Sequence, residues 1–229
     1  MNTIIIEKII DFIRFVGSGA CHQNPQLSFF DGILYMPVCS RCTGIYIGFI
    51  FSIIVILVLE RKVRTSIPSF KIITVLVIFA FFMGLDSILA ALRIVEPNNY
   101  TRLITGYLVG WFIAILLLPL KNSVIWKTGI EKQYLDNKLR FILWLVLGIA
   151  IILLFYFTGK EILFVWGLLS LAGEILLISY LLLILIFALS RRLKNTVTTP
   201  GRYFLFLMAA IFISTGFLAL SAFLKILIS

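Results

Sequence analysis

The side chains best suited to metal or redox chemistry fall within one 22-residue stretch of this 229-residue chain. The only histidine and all three cysteines sit there, in Cys21-His22-Gln23-Asn24-Pro25 and Val38-Cys39-Ser40-Arg41-Cys42-Thr43-Gly44. Coincidence is a poor account of that grouping. Thiolate and imidazole suit zinc, which takes four ligands in a tetrahedron. The two-residue gap between Cys39 and Cys42 lets both sulfurs reach one ion, and Cys21 and His22 offer two more groups. Pro25 and Gly32 let the intervening segment turn back. Side chains of adjacent residues diverge, so one of Cys21 and His22 can instead orient the site from outside the coordination sphere. Three sulfurs and one open position would then remain, as a catalytic zinc requires.

A second chemistry fits the same residues. Cys-x-x-Cys at the start of a helix is a redox arrangement, because the helix end stabilises a thiolate. Cys39 and Cys42 precede a long apolar run, and Cys21 is then a shuttle partner. A structural disulfide between two of the three cysteines is the simplest reading of all. Haem attachment is disfavoured, since Thr43 and not histidine follows Cys42.

The elements that must position these residues are membrane helices. Apolar residues make up 62% of the chain and charged residues 13%, too few charges to clothe a soluble surface of this size. Six runs are long enough to cross a bilayer: Thr43–Leu59, Ile72–Leu92, Leu103–Leu120, Phe141–Thr158, Ile162–Leu189 and Tyr203–Ile228. Ahead of them, Glu7, Lys8, Asp11 and Arg14 share one helical face, while Ile5, Ile6, Ile9, Ile10, Ile13 and Val16 occupy the rest. That division predicts an amphipathic helix in the membrane surface, with packing against the bundle as the alternative. The same charges interrupt what a secretory leader would keep apolar.

The net charge of +10 does not point to nucleic acid, because the charges cluster between apolar runs. The loops after the first, third and fifth spans hold thirteen of the twenty lysines and arginines. The positive-inside rule puts those loops in the cytoplasm and the cysteine cluster outside. Gly44-x-x-x-Gly48 and Gly106-x-x-x-Gly110 predict close helix packing just beneath the cluster.

Two acids lie inside predicted spans, where a carboxylate is costly and faces a partner or a wet cavity. Asp86 has Arg93 two turns later and Arg102 at the head of the next span. It reads as one half of a salt bridge or as a general base, proton site or extra metal contact beside the cluster. Glu174 lies mid-span near Ser170, Gly173 and Ser179 and reads as neutral and hydrogen-bonded, or as a proton or cation carrier.

Cys21, His22, Gln23, Pro25, Ser28, Phe29 and Gly32, followed by Pro37-Val38-Cys39-x-Arg41-Cys42-x-Gly44-Ile45-Tyr46-x-Gly48, resemble the bacterial and archaeal membrane family catalogued as domain of unknown function 2085. Asp86, Arg102, Thr105, Gly106 and Gly110 extend the likeness, which covers roughly residues 21 to 120. The family often carries an arginine just before the serine; Leu27 stands there in this chain. The resemblance implies a shared membrane fold and a shared site, and no activity.

These readings predict an all-α, polytopic transmembrane bundle of about six spans. An amphipathic interfacial helix occupies residues 1–20, a three-span Cys/His-motif domain 21–120, and a three-span extension 121–229. The expected site is an outward-facing zinc centre on Cys21, His22, Cys39 and Cys42, with Asp86 and Arg102 as candidate catalytic groups in a multi-pass cell-membrane protein. The alternatives are a thiol–disulfide oxidoreductase using Cys39 and Cys42, and a small transporter using Asp86 and Glu174. The lipid bilayer is the expected partner.

Overall fold

The computed structural model describes residues 2–32, 35–159 and 162–228, the first eight of these by their backbone alone. In chain order the elements are α1 (Asn2–Ser18), α2 (Ser40–Leu59), β1 (Arg64–Ser66), α3 (Phe70–Ala91), α4 (Asn99–Ile125), β2 (Ile130–Gln133), α5 (Lys138–Thr158), α6 (Leu163–Leu189) and α7 (Pro200–Ile228). Six helices, α2 to α7, are long and apolar enough to cross a membrane, so the expected six-span helical bundle is the fold. Several helices run past the apolar runs that foretell them. Asn98 and Asn137 explain two of the starts: their side chains accept from the backbone N–H groups of Tyr100 and Leu139 at 2.8 and 2.9 Å.

The bundle is built around α2 and α4. Both glycine pairs lie in their contact, as expected. A methyl on Gly44 would run into the Leu103 carbonyl, and one on Gly110 into the Ile45 carbonyl. Gly48 and Gly106 press in the same way on Tyr107 and Arg41. Helix α6 closes on α2 through Gly173, which abuts the Tyr46 carbonyl. Buried Trp111 stacks on Trp144 of α5 with ring centroids 5.3 Å apart. Trp144 Nε1 donates to Ser52 Oγ at 3.0 Å, and Ser52 donates to the Trp111 carbonyl at 2.8 Å, so a satisfied polar relay sits in an apolar core. Helix α3 buries no residue and packs on α4 at the edge.

Helix α1 lies against α6 and α7 through Ile13 and Val16, which meet Leu171 and Leu218. Asp11, Phe12 and Arg14 face away from the bundle. The side chains of Ile5, Ile6, Glu7, Lys8 and Ile9, and the whole of Lys160, lie outside the described residues.

One feature departs from the sequence reading. Strands β1 and β2 pair in parallel at the end of the bundle away from the cysteines, with Arg64 opposite Ile130 and Ser66 opposite Gln133. Three or four residues are too few for a periodic signal.

Candidate metal centre

The cysteines are brought together by the two chain ends that flank one loop. Helix α1 ends where the Cys21 N–H donates to the Gly17 carbonyl at 3.2 Å. The chain then makes a 3-10 turn over Pro25–Leu27, capped by Asn24 Oδ1 accepting from the Gln26 N–H at 3.0 Å. It reverses at Gly32, whose φ of 102° favours glycine. Phe29 and Met36 rejoin through a 2.9 Å backbone bond. Pro25 and Gly32 thus mark the turn-back as the sequence suggested.

Cys39 is the N-cap of α2, in an extended conformation, and Cys42 lies in the first turn. Residues three apart share a helix face, so both sulfurs point the same way. The Cys39 N–H donates to Cys21 Sγ at 3.1 Å, and the Gln23 N–H does so at 3.5 Å. The three Sγ atoms lie within 4.8 Å of one another. Cys21 is buried and the other two are half-buried. Hydrogen bonding from the Cys21 and Cys42 thiols holds Cys39 below the ordinary thiol range. The same hydrogen bond with Cys39, with burial, raises Cys21.

His22 does not join the three sulfurs. Its side chain is exposed, and among the described residues the ligand-type atoms gathered in one group are those of Cys21, Cys39 and Cys42. Adjacent side chains have diverged. His22, Cys21 and Gln23 instead line an open recess of about 540 Å³ between the end of α1 and the end of α7. Lys225 of α7 closes its floor by donating to the carbonyls of Ser18 at 2.6 Å and Cys21 at 3.4 Å.

Gln23 has a role beyond its place in the motif. Its Nε2 donates to the carbonyls of Arg14 and Pro37, tying the end of α1 to the segment that leads into Cys39. It holds φ at 49°, a left-handed value that is costly for a residue with a Cβ.

Asp86 is paired, and its principal partner is Arg41, one of the two residues between Cys39 and Cys42. Arg41 Nη2 stands 2.6 Å from Asp86 Oδ2, and Arg102 Nε 3.7 Å from the same oxygen. One carboxylate therefore straps the head of α2 and the start of α4 to the edge helix α3. Arg93 is not the partner: it lies beyond the end of α3, exposed and at a φ of 58°. The Arg41 pairing spans 45 residues, and no local spacing could reveal it.

Glu174 is fully buried on α6, and among the described residues neither of its oxygens has a hydrogen-bond partner. It neighbours Gly173, which touches α2 at Tyr46, and belongs to neither the sulfur cluster nor the Asp86 strap.

A family model described as a predicted membrane protein, DUF2085, matches residues 21–116. An uncharacterised protein of Methanocaldococcus jannaschii is 33% identical over 107 residues, covering 47% of this chain and 67% of that protein. An uncharacterised protein of Methanothermobacter thermautotrophicus is 33% identical over 106 residues, covering 46% of this chain and 90% of that protein. No solved structure matches. The matched segment holds the three cysteines, Arg41, Asp86 and Arg102, and excludes Glu174.

Proposed function

The chain belongs to the DUF2085 family of predicted membrane proteins, and from that premise we propose that it is a metal-binding protein of the cell membrane whose Cys21, Cys39 and Cys42 hold zinc. The observation that carries this reading is the convergence of three sulfurs, from segments 18 residues apart, to within 4.8 Å. Around a zinc ion bonded at 2.3 Å, tetrahedral sulfurs stand about 3.8 Å apart, so a small closure completes the site. Thiolates select zinc over hard cations such as magnesium or calcium. His22, exposed in the recess beside Cys21, or a water would supply the fourth ligand, and a zinc with an exchangeable ligand would supply Lewis-acid chemistry there. Asp86 and Arg102 act as positioning residues, holding Arg41 and with it the turn that carries Cys39 and Cys42.

The thirteen cationic residues of the alternate loops support an extracytoplasmic cluster. Alkaline phosphatase fused after Ser229 is then active, and the same reporter fused after Lys62 is silent. The metal is tested by elemental analysis of the purified full chain. One zinc per chain is expected, lost in Cys39→Ser and in Cys21→Ser. Wild-type protein without stoichiometric metal sinks the reading.

One observation favours a second reading. Cys39 caps a helix, where the helix end stabilises a thiolate, as in an attacking thiol. Thiol trapping in intact cells separates the two. A Cys39–Cys42 pair that cycles between oxidised and reduced forms belongs to thiol–disulfide exchange, and permanently reduced, metal-protected thiols belong to zinc.

A further inference from the structure

At the opposite end of the bundle, Lys121 is 3% exposed and inside α4. Among the described residues no carboxylate lies within ion-pair distance of it. Its Nζ donates to Tyr203 Oη at 2.6 Å and sits over the rings of Tyr180 and Tyr203, 4.3 and 4.4 Å from their centroids. Ring faces offset part of the cost of a buried ammonium and leave its charge unneutralised. Lys121 lines a cavity of about 120 Å³ shared with Tyr134, Tyr203, Arg61 and Lys62.

The donors around that cavity are in excess. Tyr134 Oη already accepts from Asn122 Nδ2 at 3.0 Å and from the Arg64 N–H at 3.2 Å, so its own proton is available to give. Tyr203 Oη accepts from Lys121 and likewise keeps a proton. Arg61 and Lys62 stand exposed at the mouth. The nearby carboxylate, Glu60, has its charge answered twice, by Arg64 at 2.6 Å and Arg140 at 2.8 Å through the same Oε2. Its other oxygen has no hydrogen-bond partner among the described residues and can accept from a protonated oxygen of a guest.

We infer that this cavity is a phosphate-binding site, taking the phosphate of a lipid headgroup or a free phosphate group. A tetrahedral oxyanion accepts from several directions at once, which suits one ammonium and two phenols arranged around a hollow. A planar carboxylate is better matched by a guanidinium fork; Arg64 and Arg140 are engaged by Glu60, which leaves Arg61 at the rim as the one guanidinium lining the cavity among the described residues. The rim cations attract an anion and repel a cation. Lys121, Tyr134 and Tyr203 all lie beyond residue 116, so the central donors fall outside the family match while Glu60, Arg61 and Lys62 fall inside it, and the site is separate from the sulfur cluster.

The test uses the full chain in two arms. In detergent, radiolabelled inorganic phosphate is followed by equilibrium dialysis. In nanodiscs of phosphatidylcholine, with and without phosphatidic acid, retained lipid is counted by native mass spectrometry. One phosphate-bearing ligand per chain is expected in at least one arm. Uptake in the first arm identifies a free phosphate, and selective retention of phosphatidic acid identifies a headgroup. Lys121→Met should weaken binding at least tenfold and Cys39→Ser should leave it unchanged. If Lys121→Met does not fold, the rim pair Arg61→Gln with Lys62→Gln decides, with a loss of threefold or more expected. Absence of binding in both arms, or binding undiminished in the folded Lys121→Met or rim variant, overturns the inference.

Discussion

The two ends of the bundle solve the same problem, polar chemistry beside a membrane core, in opposite ways. At the cysteine end the principal groups come from a short stretch, Cys21 to Cys42, strapped by Asp86 to Arg41 and Arg102. At the basic end the groups come from segments spread between Glu60 and Tyr203, and the parallel strand pair helps to gather them. The first end lies wholly inside the family match, and the second draws its central donors from outside it. The Methanothermobacter relative is matched by 106 residues over 90% of its length, which leaves it too little chain for counterparts of α5, α6 and α7. The sulfur cluster thus lies within the segment that matches the family, while the Lys121 cavity also needs Tyr134, Tyr180 and Tyr203 from beyond it.

The largest effect should come from disrupting what both ends share, the α2–α4 contact. Gly110→Leu should yield no folded protein, and Gly110→Ala should cost about 3 kcal/mol or more, because a methyl already collides with the Ile45 carbonyl and backbone cannot step aside. Gly84→Ala is the control: nothing lies within 4 Å of the added carbon, and a helix gains about 1 kcal/mol from the exchange. Thermal midpoints in detergent measure both. Equal effects at the two glycines would mean that α2 and α4 do not touch as described.

Next in size is a change confined to one end. Cys39→Ser should abolish zinc while leaving the fold of the basic end intact, read by elemental analysis beside phosphate or lipid binding. Metal retention should also fall as pH drops, because protons compete with zinc for thiolates and binding must release them. A variant that lost both activities together would make the ends one coupled unit.

The two ends also differ in how legible they were. The six spans could be read because 17 or more apolar residues have few other places to go, and only their polar first and last turns, such as Asn99–Tyr100 and Lys121–Ile125, escaped. The sulfur cluster could be read because cysteine and histidine are rare here and fall together. The direction of His22 could not, since neighbouring side chains part according to backbone geometry. Lys121 was hidden by its own kind: among thirteen cations that set topology, nothing local marks the one that turns inward between two tyrosines.

Asp86→Asn makes a smaller change at the cysteine end. It leaves Arg41 and Arg102 facing each other without a counter-charge. The side chains are about one-fifth exposed, 19% for Arg41 and 18% for Asp86, so the loss should be about 2 kcal/mol, between the figures for surface and buried pairs. Hydrogen–deuterium exchange should rise mainly in α3, the edge helix that buries no residue of its own. Zinc content unchanged in the same variant would show that the strap holds α3 more than it holds the sulfurs.

The finest distinction concerns Gln23, which touches the site only through its backbone N–H to Cys21 and its amide clamp on Arg14 and Pro37. Gln23→Ala removes the clamp between the end of α1 and Pro37, so zinc affinity should fall about tenfold, as for other groups that orient ligands. Gln23→Gly removes the same clamp and relieves the strain of φ at 49°. It should therefore lose less affinity than Ala. A chromophoric chelator titrated against each variant gives the ratio. Affinity unchanged in both would place the burden of aligning Cys21 with Cys39 on the Cys39 N–H bond alone. Affinity restored by glycine to the wild-type value would assign it to the turn and not to the clamp.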